Sequence, residues 1–354
     1  MSETAATRAT SAVEGAEVAF RLDDPEHDLS AVRLWVELGL PGESLDFDKV
    51  AGGWELRLPR PTVHRMEYLF EVTGADGEHA RTIDPCNPQL VDGPFGEHSV
   101  LELPGYTTPA WAEIEPVPGA LRPLAVTGSP LGSIELDVWS PADADPTEPL
   151  PLLVSHDGPE LAAYAGLTQY VGALVADEEL PRVRVALVSP GERNAWYSAD
   201  VDYAAALTHL VLPELRAAYA TRDDVVLMGA SLGALAALHA EWLHPGTFAG
   251  LFLQSGSFFT LDTDPQEEDF SGFAAVSAFV RRVLDAPAAV SSPAVGMTCG
   301  SAEENVHNNR VMAARLSELG WEVSFAESPD VHNFTSWRDT LDPHLTALLQ
   351  RVWG

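Results

Sequence analysis

The run Asp224-Val225-Val226-Leu227-Met228 leads straight into Gly229-Ala230-Ser231-Leu232-Gly233 and then into Ala234-Leu235-Ala236-Ala237-Leu238. An apolar run, a G-x-S-x-G turn and an alanine-rich stretch in that order call for a buried strand, a sharp turn and a helix. A serine at such a turn is held in strained backbone geometry, which is tolerated only when its neighbours are small. Gly229 and Gly233 supply that room. The helix that starts behind Ser231 aims backbone N–H groups at the place where an oxyanion forms. The plainer alternative for Ser231 is a helix N-cap.

The surrounding pattern suits such a turn. Short apolar runs at 150–154, 183–188, 225–228, 251–253, 295–299 and 323–325 read as buried strands. Amphipathic stretches at 202–219, 232–244, 308–319 and 343–352 lie between or after them. Strands alternating with helices form βαβ units, hence a parallel sheet with helices on both faces. Segments 124–126 and 134–139 flank Ser129-Pro130-Leu131-Gly132-Ser133 as an antiparallel hairpin. The α/β domain is expected over 124–354. Upstream, 18–22, 32–36, 54–58, 68–72 and 98–103 alternate or are rich in Val, Trp, Tyr, Phe and Leu, with Gly and Pro clusters between them. That spacing predicts a small all-β sandwich over 17–106. Residues 1–16 read as a leader without structure, and the prolines of 107–123 read as a semi-rigid linker.

Charge narrows the functions such a chain can have. Its 354 residues carry 53 Asp and Glu against 20 Lys and Arg, a formal net charge of −33, and Lys49 is its one lysine. A chain this negative repels phosphate backbones and anionic lipid surfaces, so neither nucleic acid nor a membrane is an expected partner. No apolar run approaches the ~20 residues of a membrane span, and the first twenty residues have no apolar signal region. Cys86 and Cys299 are too few for a disulfide framework or a zinc site, and H-E-x-x-H does not occur. A reduced cytoplasmic protein without metal or cofactor is expected. Nothing in the sequence specifies an oligomer.

A serine nucleophile needs a base, and the base needs an orienting acid. On this type of fold the acid follows the serine and the histidine comes last. Of the five histidines after Ser231, His239 and His244 sit on the following helix, His307 at a helix start and His344 in the last helix. His332 alone lies in a turn between the last strand and the last helix, at the same sheet edge as Ser231. The acid should leave the preceding strand, where Ser301-Ala302-Glu303-Glu304 follows Gly300. Glu303 is the expected partner of His332, with Glu304 as the alternative.

These stretches carry a resemblance. Ser155-His156-Asp157-Gly158, the segment from Gly229 to Phe259 with its Gln254-Ser255-Gly256-Ser257, the segment Cys299 to Leu316, and His332 followed by Trp337-Arg338 resemble the enterochelin-esterase and esterase D branch of the α/β-hydrolases. Asp84-Pro85-Cys86-Asn87-Pro88 and Pro94-Phe95-Gly96 resemble the immunoglobulin-like early-set domain that precedes those esterases. The resemblance spans about 17–354 and implies an α/β-hydrolase fold behind that sandwich, and ester hydrolysis through an acyl-serine. It makes the Leu232 N–H one oxyanion donor. The second should come from the loop after 150–154, where Pro159 has no N–H and leaves Gly158 or Glu160.

Enterochelin esterases cut the trilactone of a ferric siderophore, a trianion, so the resemblance implies cationic side chains near the serine. Arg193 matches the family's arginine, and Arg338 is a second candidate; both have ion pairing with surplus carboxylates as their plainer role. Trp196, Tyr197 and Trp337 are expected to wall an aromatic-friendly pocket. A small-molecule ester is the expected substrate, whether a ferric siderophore or a neutral acyl or sugar ester. The competing class is a binding protein whose first domain captures a glycan.

Overall fold

The computed structural model describes residues 11–40, 44–289 and 291–354. They divide into two compact units. The first takes the chain up to Thr107 together with Pro329–Val331, and the second takes Thr108–Ser328 and His332–Gly354.

In the first unit the strands are β1 (Ser11–Glu14), β2 (Glu17–Asp23), β3 (Leu29–Val36), β4 (Asp48–Val50), β5 (Gly53–Pro59), β6 (Arg65–Gly74), β7 (His79–Thr82), β8 (Leu90–Val91) and β9 (His98–Glu102). They form two sheets, ordered β1-β2-β5-β4 and β3-β6-β9-β8, with β7 paired to β6. Alternation along the strands decides which side faces inward. Val18, Phe20 and Leu22 of β2 are buried while Glu17 and Asp23 at its ends are exposed. Phe20 meets Tyr68 edge-on across the two sheets at 4.9 Å, and Phe47 meets Phe70 at 5.4 Å. The proline corner at 84–88 turns around buried Asp84, which accepts hydrogen bonds from the Tyr68 hydroxyl at 2.7 Å and the Cys86 N–H at 3.0 Å.

Two expectations about the connecting segments need correction. Residues 11–14, read as leader, form a strand paired with β2 through Ser11–Phe20 and Glu14–Glu17, while residues 1–10 lie outside the described residues. The proline-rich stretch is more ordered than a linker. A 3₁₀ turn at Ala110–Glu113 buries Trp111 edge-on against Tyr170 at 5.4 Å, and the segment from Gly119 already belongs to the second unit's sheet. Pro123 is tolerated there because that strand lies at the sheet edge.

That sheet has eight strands among the described residues: β10 (Gly119–Ser129), β11 (Gly132–Pro141), β12 (Leu152–Ser155), β13 (Arg184–Val188), β14 (Val226–Ala230), β15 (Gly250–Gln254), β16 (Ala294–Gly300) and β17 (Glu322–Ser328). Their order is β10-β11-β13-β12-β14-β15-β16-β17. Pairing is antiparallel from β10 through β11 to β13 and parallel thereafter. Strands β12 to β15 are buried along their whole length, as a sheet covered on both faces requires. The helices are α1 (Gly158–Tyr164), α2 (Leu167–Ala176), α3 (Arg193–Trp196), α4 (Val201–Ala206), α5 (Leu212–Ala218), α6 (Leu232–Leu243), α7 (Phe273–Leu284), α8 (Val306–Glu318), α9 (Phe334–Asp339) and α10 (Thr346–Trp353). One core layer joins Leu235, Leu238, Phe279 and Met312; the other joins Tyr170, Val171, Leu348 and Trp353. The unit is α/β-hydrolase-like, preceded in the chain by the β-rich one.

The approach of α6 to β14 sets the middle of the sheet. A Cβ at Gly229 would lie 2.4 Å from the carbonyl carbon of Gly233, so only glycine lets the helix follow the strand this tightly. Gly229→Ala should therefore lower the urea-unfolding free energy by about 3 kcal/mol or more, the upper end for an overpacked interior. An unchanged midpoint in urea would refute the close-packing argument.

Candidate active site

Ser231 stands between β14 and α6 with φ 58° and ψ −124°, a left-handed conformation rare for a residue with a side chain. The turn is held by neighbouring backbone. The Ser231 N–H donates to the Gln254 carbonyl at 2.9 Å, and its own carbonyl accepts from Ala234, Leu235 and Ser257 at 3.1–3.2 Å. Its side chain therefore stands at the C-terminal edge of the sheet and is half-buried. The Ser257 hydroxyl lies 3.3 Å from the Ser231 Oγ.

Of the two candidate acids, Glu303 is buried and Glu304 is exposed. One Glu303 oxygen faces His332 Nδ1 at 2.8 Å. The other accepts from the Gly300 N–H at 2.7 Å and the Ser255 hydroxyl at 2.6 Å. Burial alone would raise this carboxyl's pKa, but the hydrogen bonds from His332, Ser255 and Gly300, with the charge of His332, outweigh it and hold the pKa below its ordinary value. Glu303 thus stays ionised and fixes the imidazole through Nδ1, which leaves Nε2 as the basic nitrogen. His332 also rests edge-on against the Trp337 ring at 5.2 Å.

The turn after β15 ties these groups together. Ser255, itself at φ 47°, accepts from the Trp337 indole N–H at 3.0 Å while donating to Glu303. Gly256 is clamped by the buried Asn309 of α8, whose amide accepts from the Gly256 N–H at 2.9 Å and donates to its carbonyl at 2.8 Å. Gln254 donates to the Trp337 carbonyl at 2.9 Å. Residues 254–257 therefore connect the serine turn on one side to the Glu303–His332 pair on the other.

A second turn follows β12. Asp157, at φ 47°, precedes Gly158, the first residue of α1. A Cβ on Gly233 would lie 3.2 Å from His156 Cβ and 3.3 Å from Asp157 Oδ2, which puts this turn beside the first turn of α6. Burial pushes the His156 pKa down to about 3, so this histidine is neutral and unsuited to act as a base.

The aromatic and basic residues expected to wall a pocket stand differently. Trp196, Tyr197 and Trp337 are all buried. Trp196 stacks on Tyr203 at 5.5 Å, the Tyr197 hydroxyl accepts from the Asp157 N–H at 3.2 Å, and Trp337 braces Ser255. Each spends its polar end or ring face inside the protein, so they support the walls rather than line them. Arg193 is turned onto Asp157 through two bonds of 2.8 Å, and Arg338 pairs with Asp339 at 2.7 Å. Sequence reasoning did not identify Ser255, Ser257, Asn309 or Asp157 as site residues. The available signal was position: Ser255 directly follows β15 at the edge that carries Ser231, and Ser257 lies two residues beyond it.

Removing the Ser255 hydroxyl should cost catalysis without straining the turn. Ser255→Gly suits φ 47° and should lower kcat by about 10-fold, a hydrogen bond's worth to a charged group, with KM little changed. A fall in KM-based binding with kcat intact would point to a binding role for Ser255 and against its holding Glu303.

The sequence matches the profile of the Esterase family over residues 129–348. No curated protein sequence matches it. Among solved structures it is similar to the ferric enterobactin esterase from Salmonella typhimurium, at 21% identity and a TM-score of 0.79, over 99% of this chain and 97% of that one. It is also similar to the enterobactin esterase of Shigella flexneri in the presence of 2,3-di-hydroxy-N-benzoyl-glycine, at 20% identity and a TM-score of 0.73, over 95% and 93% of the two chains. A ferulic acid esterase aligns at 15% identity and a TM-score of 0.53, over 66% of this chain and 99% of that one. With the profile matched over most of its length, the chain belongs to the Esterase family and is a carboxylic-ester hydrolase resembling the enterochelin esterases.

Proposed function

We propose that the hydrolysis runs through an acyl-serine on Ser231, with His332 as general base and Glu303 as the acid that orients it. The hydrogen-bonded Glu303–His332 pair, joined through residues 254–257 to a serine at φ 58°, is the observation that carries this reading. In the first step Ser231 Oγ attacks the ester carbonyl while His332 Nε2 takes the hydroxyl proton. The tetrahedral oxyanion is met by the N–H groups of Leu232 and Gly158. Both are first residues of helices, where no intrahelical acceptor exists. Pro159 has no N–H to offer, and Gly158, the first residue of α1, is taken as the second donor. Collapse of the intermediate breaks the C–O bond, and the His332 proton passes to the departing alcohol. Water, deprotonated by His332, then releases the acid and restores Ser231.

The finer assignments extend this reading. The first unit, with its two packed sheets, is taken as an immunoglobulin-like early-set domain over about 17–106, and the catalytic domain as about 124–354. Unpaired Cys86 and Cys299 favour a cytoplasmic setting. Among the described residues no helix is long and apolar enough to cross a membrane. A ferric siderophore trilactone is the substrate that the names of the Salmonella and Shigella enzymes suggest. A neutral acyl ester is the alternative.

Hydrolysis of p-nitrophenyl butyrate should be measurable and should fall by about 10⁴-fold or more in Ser231→Ala. Activity retained in that variant would exclude the acyl-serine route. Ferric enterobactin tests the siderophore reading in the same preparation: linear dihydroxybenzoyl-serine products seen by mass spectrometry support it, and none alongside good butyrate turnover removes it.

A further inference from the structure

We infer that Arg65, the first residue of β6, is a positioning residue for His332 and acts through Pro329-Asp330-Val331; the inference rests on the acyl-serine reading above. The chain passes from one unit to the other and back just before the histidine. Ser328 ends β17, where its carbonyl accepts the Ser301 N–H at 2.7 Å. Pro329–Val331 then belong to the first unit, and His332 belongs again to the second. Asn333 opens α9, its side chain accepting the Ser336 N–H at 2.8 Å.

The first unit holds those three residues through backbone and through charge. The His64 N–H donates to the Pro329 carbonyl at 2.6 Å, and the His64 carbonyl accepts the N–H of Leu103, the residue after β9, at 2.9 Å. The next side chain, Arg65, meets the Asp330 carboxylate at 3.5 Å and the Glu67 carboxylate at 3.3 Å. Arg65 and Asp330 are 3% and 4% exposed, so this is an ion pair inside the protein. The Arg65 guanidinium also lies over the Tyr106 ring at 5.6 Å. The other Asp330 oxygen accepts the Val331 N–H at 2.9 Å, which ties the carboxylate to the residue directly before His332.

A buried ion pair is often no more stabilising than apolar side chains of the same volume, but its geometry is specific. Here it fixes the backbone that enters His332. Glu303 is placed independently, by the Gly300 N–H and the Ser255 hydroxyl. The two must meet at 2.8 Å between Glu303 and His332 Nδ1. Such bonds extend to about 3.2 Å, so a backbone shift of roughly half an ångström would weaken the contact that orients the base. Acid and base thus take their positions from different parts of the chain, and Arg65 sets the second of them.

Arg65→Met and Asp330→Ala, singly and together, test this with p-nitrophenyl butyrate below the melting transition of each variant. Each single variant should lower kcat by about 10- to 100-fold with KM within about twofold of the original. The double variant should be no slower than the slower single, because both substitutions break one link. Phe70→Leu, further along β6 between buried Phe47 and Tyr68, should lower Tm while leaving kcat unchanged. In Asp330→Ala the arginine keeps Glu67, so this variant decides the matter even if Arg65→Met fails to fold. An unchanged kcat in folded Asp330→Ala, additive losses in the double variant, or an equal loss in Phe70→Leu would overturn the inference. Turnover surviving in Ser231→Ala would instead overturn the acyl-serine reading, and the inference with it.

Discussion

The sheet edge that carries Ser231 depends on how closely the backbone of α6 follows that of β14. With no Cβ at Gly229, the Gly233 carbonyl can occupy the space a side chain would fill. That approach forces Ser231 into a left-handed conformation at φ 58°. Such a conformation costs on the order of 1–3 kcal/mol and persists only where its surroundings over-determine it. Here four backbone hydrogen bonds do so, one made by the Ser231 N–H and three received by its carbonyl. The same turn exposes the side chain at the C-terminal edge of a sheet whose central strands are otherwise buried.

Strain of the same kind recurs nearby. Asp157 and Ser255 both have φ 47°, Asp157 two residues after the parallel strand β12 and Ser255 directly after β15. The three turns lie after neighbouring or next-neighbouring strands at one end of the sheet, where side chains can converge. Their cost is offset by polar groups that are satisfied locally. Glu303 is a buried carboxylate, which would ordinarily be unfavourable, yet it receives hydrogen bonds from a histidine, a serine and a backbone N–H. Asn309, with no exposure, closes both backbone groups of Gly256. With both of its oxygens paired, Glu303 holds the His332 imidazole in place through Nδ1.

Much of this was legible in the sequence wherever the signal was local. The strand, turn and helix around Ser231 have distinct periodicities and small residues at fixed offsets, so that turn could be placed from fifteen residues of context. Strand alternation gave the two-unit division for the same reason. Partnerships across the fold were not legible. Ser255 and Glu303 are 48 residues apart, Asp157 and Arg193 are 36 apart, and no local pattern links either pair. Residue type alone also misled for Trp196, Tyr197 and Trp337, because an aromatic ring with a polar handle serves equally as a pocket wall or as an internal brace. Helix α2 carries apolar residues on too broad a face for a clear helical stripe, and α1 has only seven residues in which to show one. At the start of the chain, 11–14 looked structureless because a four-residue edge strand has too few positions to show alternation.

The central claim is that one side chain, Ser231, becomes covalently bonded to the acyl group. Labelling with a fluorophosphonate, followed by proteolysis and peptide mass mapping, tests it most directly. The predicted result is one stoichiometric adduct on Ser231, formed at a rate that falls sharply in His332→Ala because the base is gone. A stoichiometric adduct on any other residue, or labelling of Ser231 at the same rate without His332, would contradict it.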